Sequence, residues 1–484
     1  MEALNKTDAL LNISIALSAE KDKNKLFNMI INTSMELTHC DAGTLYILND
    51  KGELEFRIMK TLSMGVDRGA DGNVIDLPPV SMKEENICAY AAIHKMPLNI
   101  SDVYTSDRFD FSGPKRYDSM TGYHTQSMMA IPLINGEDNV VGVLQLINAV
   151  NEDGDVVPFN KSLEEIVLAL SSQTAIAVSN MKYQEEIKEL LWSFTEAMAA
   201  AIDERTPYNA NHTRNVAKYS GMLADYINKL HDEGKTEEYF DTQRREQLVM
   251  GALLHDIGKL VTPLEVMNKA TRLEGKLDKI IDRLNIYALK SEVKFLKGEI
   301  NKEEYEKFSF AVTEAENVAK EVNSAGFVGD ELKERLEKII DLTFNDEDVE
   351  CPFFTEDEKE ELRIQKGTLT QNERKIMEDH VAITGRILSK VRFNSYFSES
   401  PKLAVKHHEC LNGKGYPKHL TEEDLETDAR IIAVSDICDA LLATDRPYKK
   451  PLPKEKAFAI MEDMAKNGNI DSVLVEYLKE CLKD

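Results

Sequence analysis

Cysteine, tryptophan and proline are scarce: the 484 residues include six cysteines, one tryptophan and 14 prolines. The cysteines, Cys40, Cys88, Cys351, Cys410, Cys438 and Cys481, are scattered without a C-x-x-C spacing. That excludes a disulfide framework and a zinc-finger arrangement, and it fits a reducing compartment. No run of about 18 apolar residues occurs, so no membrane span is expected. The first residues carry an acid at Glu2 and a broken apolar pattern, so no signal peptide is expected and the expected location is the cytoplasm. Positive charge is also short, with 59 Lys and Arg against 85 Asp and Glu, a net charge of −26. A field of that sign repels polyphosphate backbones, and nucleic acid is not an expected partner.

What is there is length and an ordinary globular composition. At roughly 100–200 residues per domain the chain accommodates two or three domains. From about Thr7 to Thr38, the positions Leu10, Leu11, Ile15, Leu17, Leu26, Ile30, Ile31, Met35 and Leu37 recur at helical spacing, predicting two short amphipathic helices. Segments 43–48, 54–59, 127–134 and 140–147 are rich in β-branched residues and end in Gly or Asn turn signals. Residues 1–180 therefore read as a mixed α/β domain with an antiparallel sheet.

Strand signals stop after Lys161, and Ser162 to Ile202 predicts one long helix. Within it Ile187, Leu191, Phe194, Met198 and Ala201 step by 4, 3, 4 and 3, a heptad-like seam. That seam predicts a parallel homodimer stalk over 181–202, beside the plainer reading of a linker helix packed on its own domain. Residues 203–484 read as almost entirely helical. A charged stretch at 271–366 stands out as an inserted helical arm with a solvated face.

Only ten histidines occur, yet the C-terminal region places His255 beside Asp256 and His407 beside His408, with His212, His380 and Asp436 nearby in the pattern. Neutral imidazoles and a carboxylate are the usual ligands of first-row divalent metals such as Fe, Mn, Ni or Zn, and one carboxylate can bridge two ions. The apolar run Leu248-Val-Met-Gly-Ala-Leu-Leu254 predicts a buried helix ending at His255-Asp256 and capped by Gly258. A buried acid there needs a partner, and a metal supplies one. Lys259 adds a cation at the helix end. After His407-His408-Glu409 comes a loop with Gly413 and Gly415, able to approach a ligand closely.

Leu254-His-Asp-Ile-Gly-Lys259 and His407-His-Glu-Cys-Leu-Asn-Gly-Lys-Gly-Tyr-Pro417 resemble the paired signatures of the HD-GYP family of cyclic di-GMP phosphodiesterases. Asp203 to His212 resembles that family's first ligand segment, and Asp436 to Lys449 its last. The resemblance covers about 195–270 and 367–455. It implies an all-helical bundle in which His212, His255, Asp256, His380, His407, His408 and Asp436 hold two divalent ions, iron or manganese, with Asp256 bridging. Two ions about 3.5–4 Å apart can lower the pKa of water and stabilise both the attacking and leaving oxygens of an in-line phosphodiester attack. Lys259, Arg446 and Lys449 would neutralise the phosphate, and Gly413, Gly415, Tyr416 and Pro417 would shape the nucleotide pocket. Members that bind a third metal carry Glu four residues before the first ligand. Tyr208 stands there in this chain, so two metals are expected.

The N-terminal region resembles a GAF domain, most like those of mammalian cyclic-nucleotide phosphodiesterases. Of that group's ligand-linked pattern Asn148, Phe159 and Glu164 match, while Ala149 and Leu163 replace the Lys and the Asp. The fold expected is thus α+β and multidomain: a GAF sensor over 1–180, a signalling helix over 181–202, and an HD-type helical bundle over 203–484 with an insertion at about 271–366. The expected activity is hydrolysis of cyclic di-GMP to linear pGpG or GMP, gated by a small ligand or by dimerisation through the GAF domain. Hydrolysis of another cyclic dinucleotide such as cyclic GMP-AMP, and a catalytically silent receptor, are the alternatives.

Overall fold

The computed structural model describes residues 15–16, 20, 22–73, 75–205, 211–346, 349–443 and 452–483. Tyr208, Arg446 and Lys449, and most of the first of the two expected N-terminal helices, lie outside the described residues. The chain divides into two compact units, Met1–Leu190 and Leu191–Asp484.

The first unit opens with α1 (Lys23–Thr38), whose N-cap Asp22 accepts from the Lys25 backbone N–H. Then come β1 (Cys40–Leu48), β2 (Leu54–Thr61), β3 (Val66–Arg68), α2 (Ile87–His94), β4 (Leu98–Ile100) and α3 (Ser112–Thr121). β5 (Met128–Ile134), β6 (Val140–Val150) and β7 (Val156–Val157) complete the sheet before α4 (Lys161–Asp203). The strand order is β3-β2-β1-β6-β5-β4, with β7 on β6, and each pairing is antiparallel.

Successive side chains go to opposite faces, as the two-residue period of a strand requires. Leu45, Met129, Ile131, Leu144 and Leu146 pack against Phe27, Ile30 and Ile31 of α1 and Val167, Leu170 and Val178 of α4. Their neighbours Tyr46, Met128, Ala130 and Val143 pack on the other side against Ile87, Ala91 and Ala92 of α2 and against Phe109.

The expected seam on α4 is divided between two environments. Leu191 and Met198 pack inside the second unit, against the cluster of Met250, Leu254 and Ile202. Ile187 and Phe194, of the same seam, are exposed, as are Ile176, Tyr183 and Leu190. α4 carries apolar residues on more than one face, so neighbouring stripes meet different surroundings.

The second unit continues with α5 (His212–Asp232), α6 (Thr242–Leu254), a 3-10 turn at Ile257–Leu260 and α7 (Leu264–Met267). The inserted lobe contains α8 (Leu277–Leu296), α9 (Lys302–Ser324), α10 (Asp330–Ile339), a hairpin of β8 (Thr343–Asp346) and β9 (Val349–Pro352), and α11 (Glu356–Leu362). The chain then returns as α12 (Gln371–Leu388), α13 (Ser400–Ala404), α14 (Thr427–Leu442), α15 (Lys454–Lys466) and α16 (Ser472–Cys481). Val216, Leu223 and Ile227 of α5, Leu248 and Ala252 of α6, and Ile431, Val434 and Cys438 of α14 form the main core with Met461, Leu474 and Leu478. Among the described residues no helix is long and apolar enough to cross a membrane.

The insertion is more than a solvated arm. Ile280, Leu284, Val318, Val322, Leu336, Phe344, Phe353 and Phe354 form a core of their own, and the lobe includes a hairpin that the helical pattern did not predict. Its root is polar: Lys269 Nζ sits 2.9 Å from Glu361 and 2.8 Å from Glu373, and fully buried Arg272 donates to the carbonyls of Ile364, Val322 and Ala325. Arg272→Leu strands those acceptors without a donor, and the lobe is expected to lose about 3 kcal/mol or more of stability. Hydrogen exchange confined to 277–362 checks this, with 22–178 unchanged.

Candidate metal centre

The candidate ligands come from five places in the helical unit. His212 is the first residue of α5 and Asp436 lies within α14. His255 and Asp256 follow the buried end of α6, His380 lies within α12, and His407 and His408 occupy a turn beyond α13. All seven belong to three linked groups, His212-His255-Asp436, His255-Asp256-His407 and His380-His407-His408, and within each group the ligand atoms lie within 4.8 Å of one another. Asp256 is the hub: its Oδ2 is 3.2 Å from His255 Nε2 and 3.5 Å from His212 Nε2, and its Oδ1 is 3.3 Å from His380 Nε2 and 3.9 Å from His407 Nε2.

The orientation of the rings follows from what their other nitrogens do. His255, His380 and His407 each place Nδ1 on the backbone carbonyl three residues earlier, Ala252 at 2.6 Å, Met377 at 2.6 Å and Ala404 at 2.8 Å. A carbonyl only accepts, so Nδ1 carries the proton and Nε2 is left with its lone pair facing inward. His212 Nδ1 is held by Asp439 Oδ2 at 2.7 Å, while its Nε2 faces Asp436 Oδ1 at 3.2 Å. His255 Nε2 and Asp256 Oδ1 are buried with no hydrogen-bond partner. Such a set of inward lone pairs around a buried carboxylate fits divalent cations and is costly without them.

Burial pushes the His408 imidazole down to about 4, and burial with neighbouring imidazoles holds His407 well below its ordinary value. Both rings are therefore held in the neutral form. Burial would raise Asp256, but the surrounding His255, Lys259 and His212 hold its carboxyl well below the usual range. Asp436 is likewise held down against burial by its hydrogen bond to His212. Lys259 Nζ lies 2.5 Å from Asp256 Oδ2 and neutralises it directly.

Gly258 does a different job from the helix cap expected of it. A Cβ there would sit 1.9 Å from the His380 carbonyl oxygen, so only glycine lets the turn after α6 lie against α12. Gly258 N–H donates to Thr384 Oγ1 at 3.0 Å, and the same hydroxyl donates to the His255 carbonyl at 3.1 Å. Beyond His408 the glycine loop folds back: Tyr416 N–H donates to the His408 carbonyl at 3.1 Å, and the two rings lie 4.8 Å apart. Buried Glu409 accepts from Lys418 N–H at 2.7 Å and Leu420 N–H at 2.9 Å, fixing the loop that carries Gly413, Gly415, Tyr416 and Pro417. A Cβ at Gly415 would meet Cys410 N at 2.3 Å.

In the first unit Asn148, Phe159 and Glu164 are tied into the domain, and Phe159 and Glu164 share Asn99, which donates to the Phe159 carbonyl at 2.9 Å. Asn148 accepts from Gln126 N–H at 2.8 Å and donates to the His124 carbonyl at 2.8 Å, Phe159 is buried in the core, and Glu164 accepts from Asn99 at 3.4 Å. Two clefts of that unit, about 890 and 450 Å³, are lined by other residues.

With that geometry in place, the comparisons with known proteins are decisive on composition. Residues 22–178 match the GAF domain family, and 209–296 and 357–474 each match an HD domain family. The chain carries a GAF domain followed by an HD domain. The two HD matches leave 297–356 uncovered, the middle of the inserted lobe. A "Cyclic di-GMP phosphodiesterase" of Thermotoga maritima is 37% identical over 119 residues, 24% of this chain and 32% of that one. A "3'3'-cGAMP-specific phosphodiesterase 3" of Vibrio cholerae is 40% identical over 97 residues, 20% of each chain. The chain thus spans about a third or less of the length of these curated relatives. The GAF domain of a phosphoenolpyruvate-protein phosphotransferase from Coxiella burnetii is similar over 38% of this chain and 99% of its own, at 15% identity and a TM-score of 0.31.

Sequence reasoning gave no role to Asp439, although it was in view three residues after Asp436. That spacing puts both carboxylates on one face of α14, where one meets each nitrogen of His212. Asn215 Nδ2 donates to the other oxygen of Asp439 at 2.8 Å. Removing the charge that orients His212, as in Asp439→Asn, is expected to weaken divalent-metal affinity about 10–100-fold. Metal titration of the folded variant against the parent chain checks this.

Proposed function

We propose that this protein is a metal-dependent phosphodiesterase that hydrolyses cyclic di-GMP to pGpG or GMP. The observation that carries the reading is the convergence of six candidate ligand side chains with Asp256, beside the glycine loop whose Tyr416 ring lies 4.8 Å from that of His408. His212, His255, Asp256, His380, His407, His408 and Asp436 would hold two divalent ions, and an imidazole-rich set with carboxylates suits iron or manganese. When bound, such ions supply charge neutralisation at a phosphodiester and activation of water at neutral pH.

The chain's own residues do the rest. Asp256 holds the centre together, and Lys259 balances its charge and faces the substrate phosphate. Gly413, Gly415, Tyr416 and Pro417 form the wall against which a guanine nucleotide lies. Arg446 and Lys449, outside the described residues, would add positive charge to the same phosphate. The domain limits assigned are a GAF sensor over 1–180, a signalling helix over 181–202 and the hydrolase over 203–484 with its insertion at 271–366. The GAF domain takes a small regulatory ligand, a cyclic nucleotide being the first to test. A second copy of the chain pairs along the signalling helix over 181–202, and the enzyme works in the cytoplasm. The cGAMP-specific relative favours a second reading, in which the substrate is 3'3'-cyclic GMP-AMP.

Anaerobically prepared protein loaded with Mn²⁺ or Fe²⁺ and given each cyclic dinucleotide separately, with products identified by mass, separates the two substrates. Asp256→Ala is expected to lose both bound metal and turnover; unchanged hydrolysis by that variant refutes the site.

A further inference from the structure

The last turn of α4 makes contacts that its own helix does not require. α4 ends at Asp203, and within the second unit Ala199 and Ile202 are buried. Two polar residues at this end reach segments distant in sequence. The buried Asp203 carboxylate accepts from Thr213 Oγ1 at 2.8 Å and from Thr213 N–H at 3.5 Å. Thr213 is fully buried and immediately follows His212. Arg205, just past the helix, donates from its two terminal nitrogens to the Lys259 carbonyl at 3.1 Å and the Thr262 carbonyl at 2.8 Å. Those carbonyls belong to the turn that leaves His255-Asp256.

One helix end therefore grips both chain segments that deliver the centre: the start of α5, carrying His212, and the turn after α6, carrying Asp256. The two grips share only α4. A guanidinium fork that spans two carbonyls fixes a distance and an angle, which a lysine ammonium cannot do. Metal ligands need placement to about 0.5 Å, so a small shift of this anchor is felt at both His212 and Asp256.

We propose that Asp203 and Arg205 are positioning residues of the metal centre, through which α4 sets how tightly the centre holds its ions. The proposal rests on the reading of the seven-residue cluster as a divalent-metal site and is independent of which nucleotide is hydrolysed. It gives the long helix a defined output: a displacement of its end moves both grips together.

The test uses the full chain, stripped of metal and titrated with Mn²⁺ alone, followed by the electron paramagnetic resonance of free and bound ion. Arg205→Gln and Asp203→Ala are expected to lower Mn²⁺ affinity about 10–100-fold. The melting temperature of the metal-free protein should stay within a few degrees. Arg205→Lys should fail to restore the affinity. Thr213→Val should reproduce the Asp203→Ala loss while Thr213→Ser does not, and the Asp203→Ala/Thr213→Val double variant should be no weaker than either single change. Parent-like Mn²⁺ affinity in folded Arg205→Gln and Thr213→Val overturns the proposal. A parent chain that binds no Mn²⁺ overturns instead the metal reading on which it stands.

Discussion

The Asp256 carboxylate, buried among imidazoles whose Nε2 atoms all face it, is the constraint on which the helical unit is organised. A carboxylate and several imidazoles cannot be enclosed cheaply unless each polar atom has a partner, and here the partners are assigned from outside inward. Backbone carbonyls and Asp439 take the Nδ1 side of four rings. What remains points to the middle, where His255 Nε2 and Asp256 Oδ1 find no hydrogen bond. The surrounding features serve that arrangement. The apolar face of α6 buries His255, the bare backbone of Gly258 admits α12, Thr384 ties the two together, and Glu409 closes the loop over His408.

The acidity of the chain bears on the same site. A surface with a net charge of −26 keeps polyanions away, yet the centre gathers Lys259 and a set of neutral nitrogens suited to cations. Divalent ions held there would reverse the local sign while the surface stays acidic, as the proposed reading of a compact anionic substrate requires. The inserted lobe leaves this arrangement intact because it is self-supporting. It has its own apolar core, and its two ends meet through Lys269, Thr368 and Glu373 at the start of α12. An insertion whose ends are close and whose core is closed adds little strain to its host.

How much of this was legible beforehand varies with the range of the interaction. The antiparallel sheet was readable because alternation along a strand is local, and the ligands stood out because His255-Asp256 and His407-His408 are adjacent in the chain. Asp439, Thr384, Asp203 and Arg205 were not, because each acts on a residue far away in sequence and looks alone like an ordinary polar helix residue. Gly258 resembled a helix cap, and only the passage of α12 beside it gives its small size a purpose. Of the α4 seam, Leu191 and Met198 face the core while Ile187 and Phe194 stay exposed, a division that apolarity alone does not encode. The inserted lobe read as a charged arm because its core positions, such as Val318 and Phe354, are diluted among many acids and lysines.

The central claim is that two divalent ions sit at Asp256, one toward His212 and Asp436 and the other toward His380, His407 and His408. Anomalous diffraction from crystals of the protein loaded with Mn²⁺ or Fe²⁺, collected on both sides of the metal edge, tests it most directly. The account predicts two peaks about 3.5–4 Å apart flanking the Asp256 carboxylate. A single peak, or peaks away from these seven side chains, would contradict it.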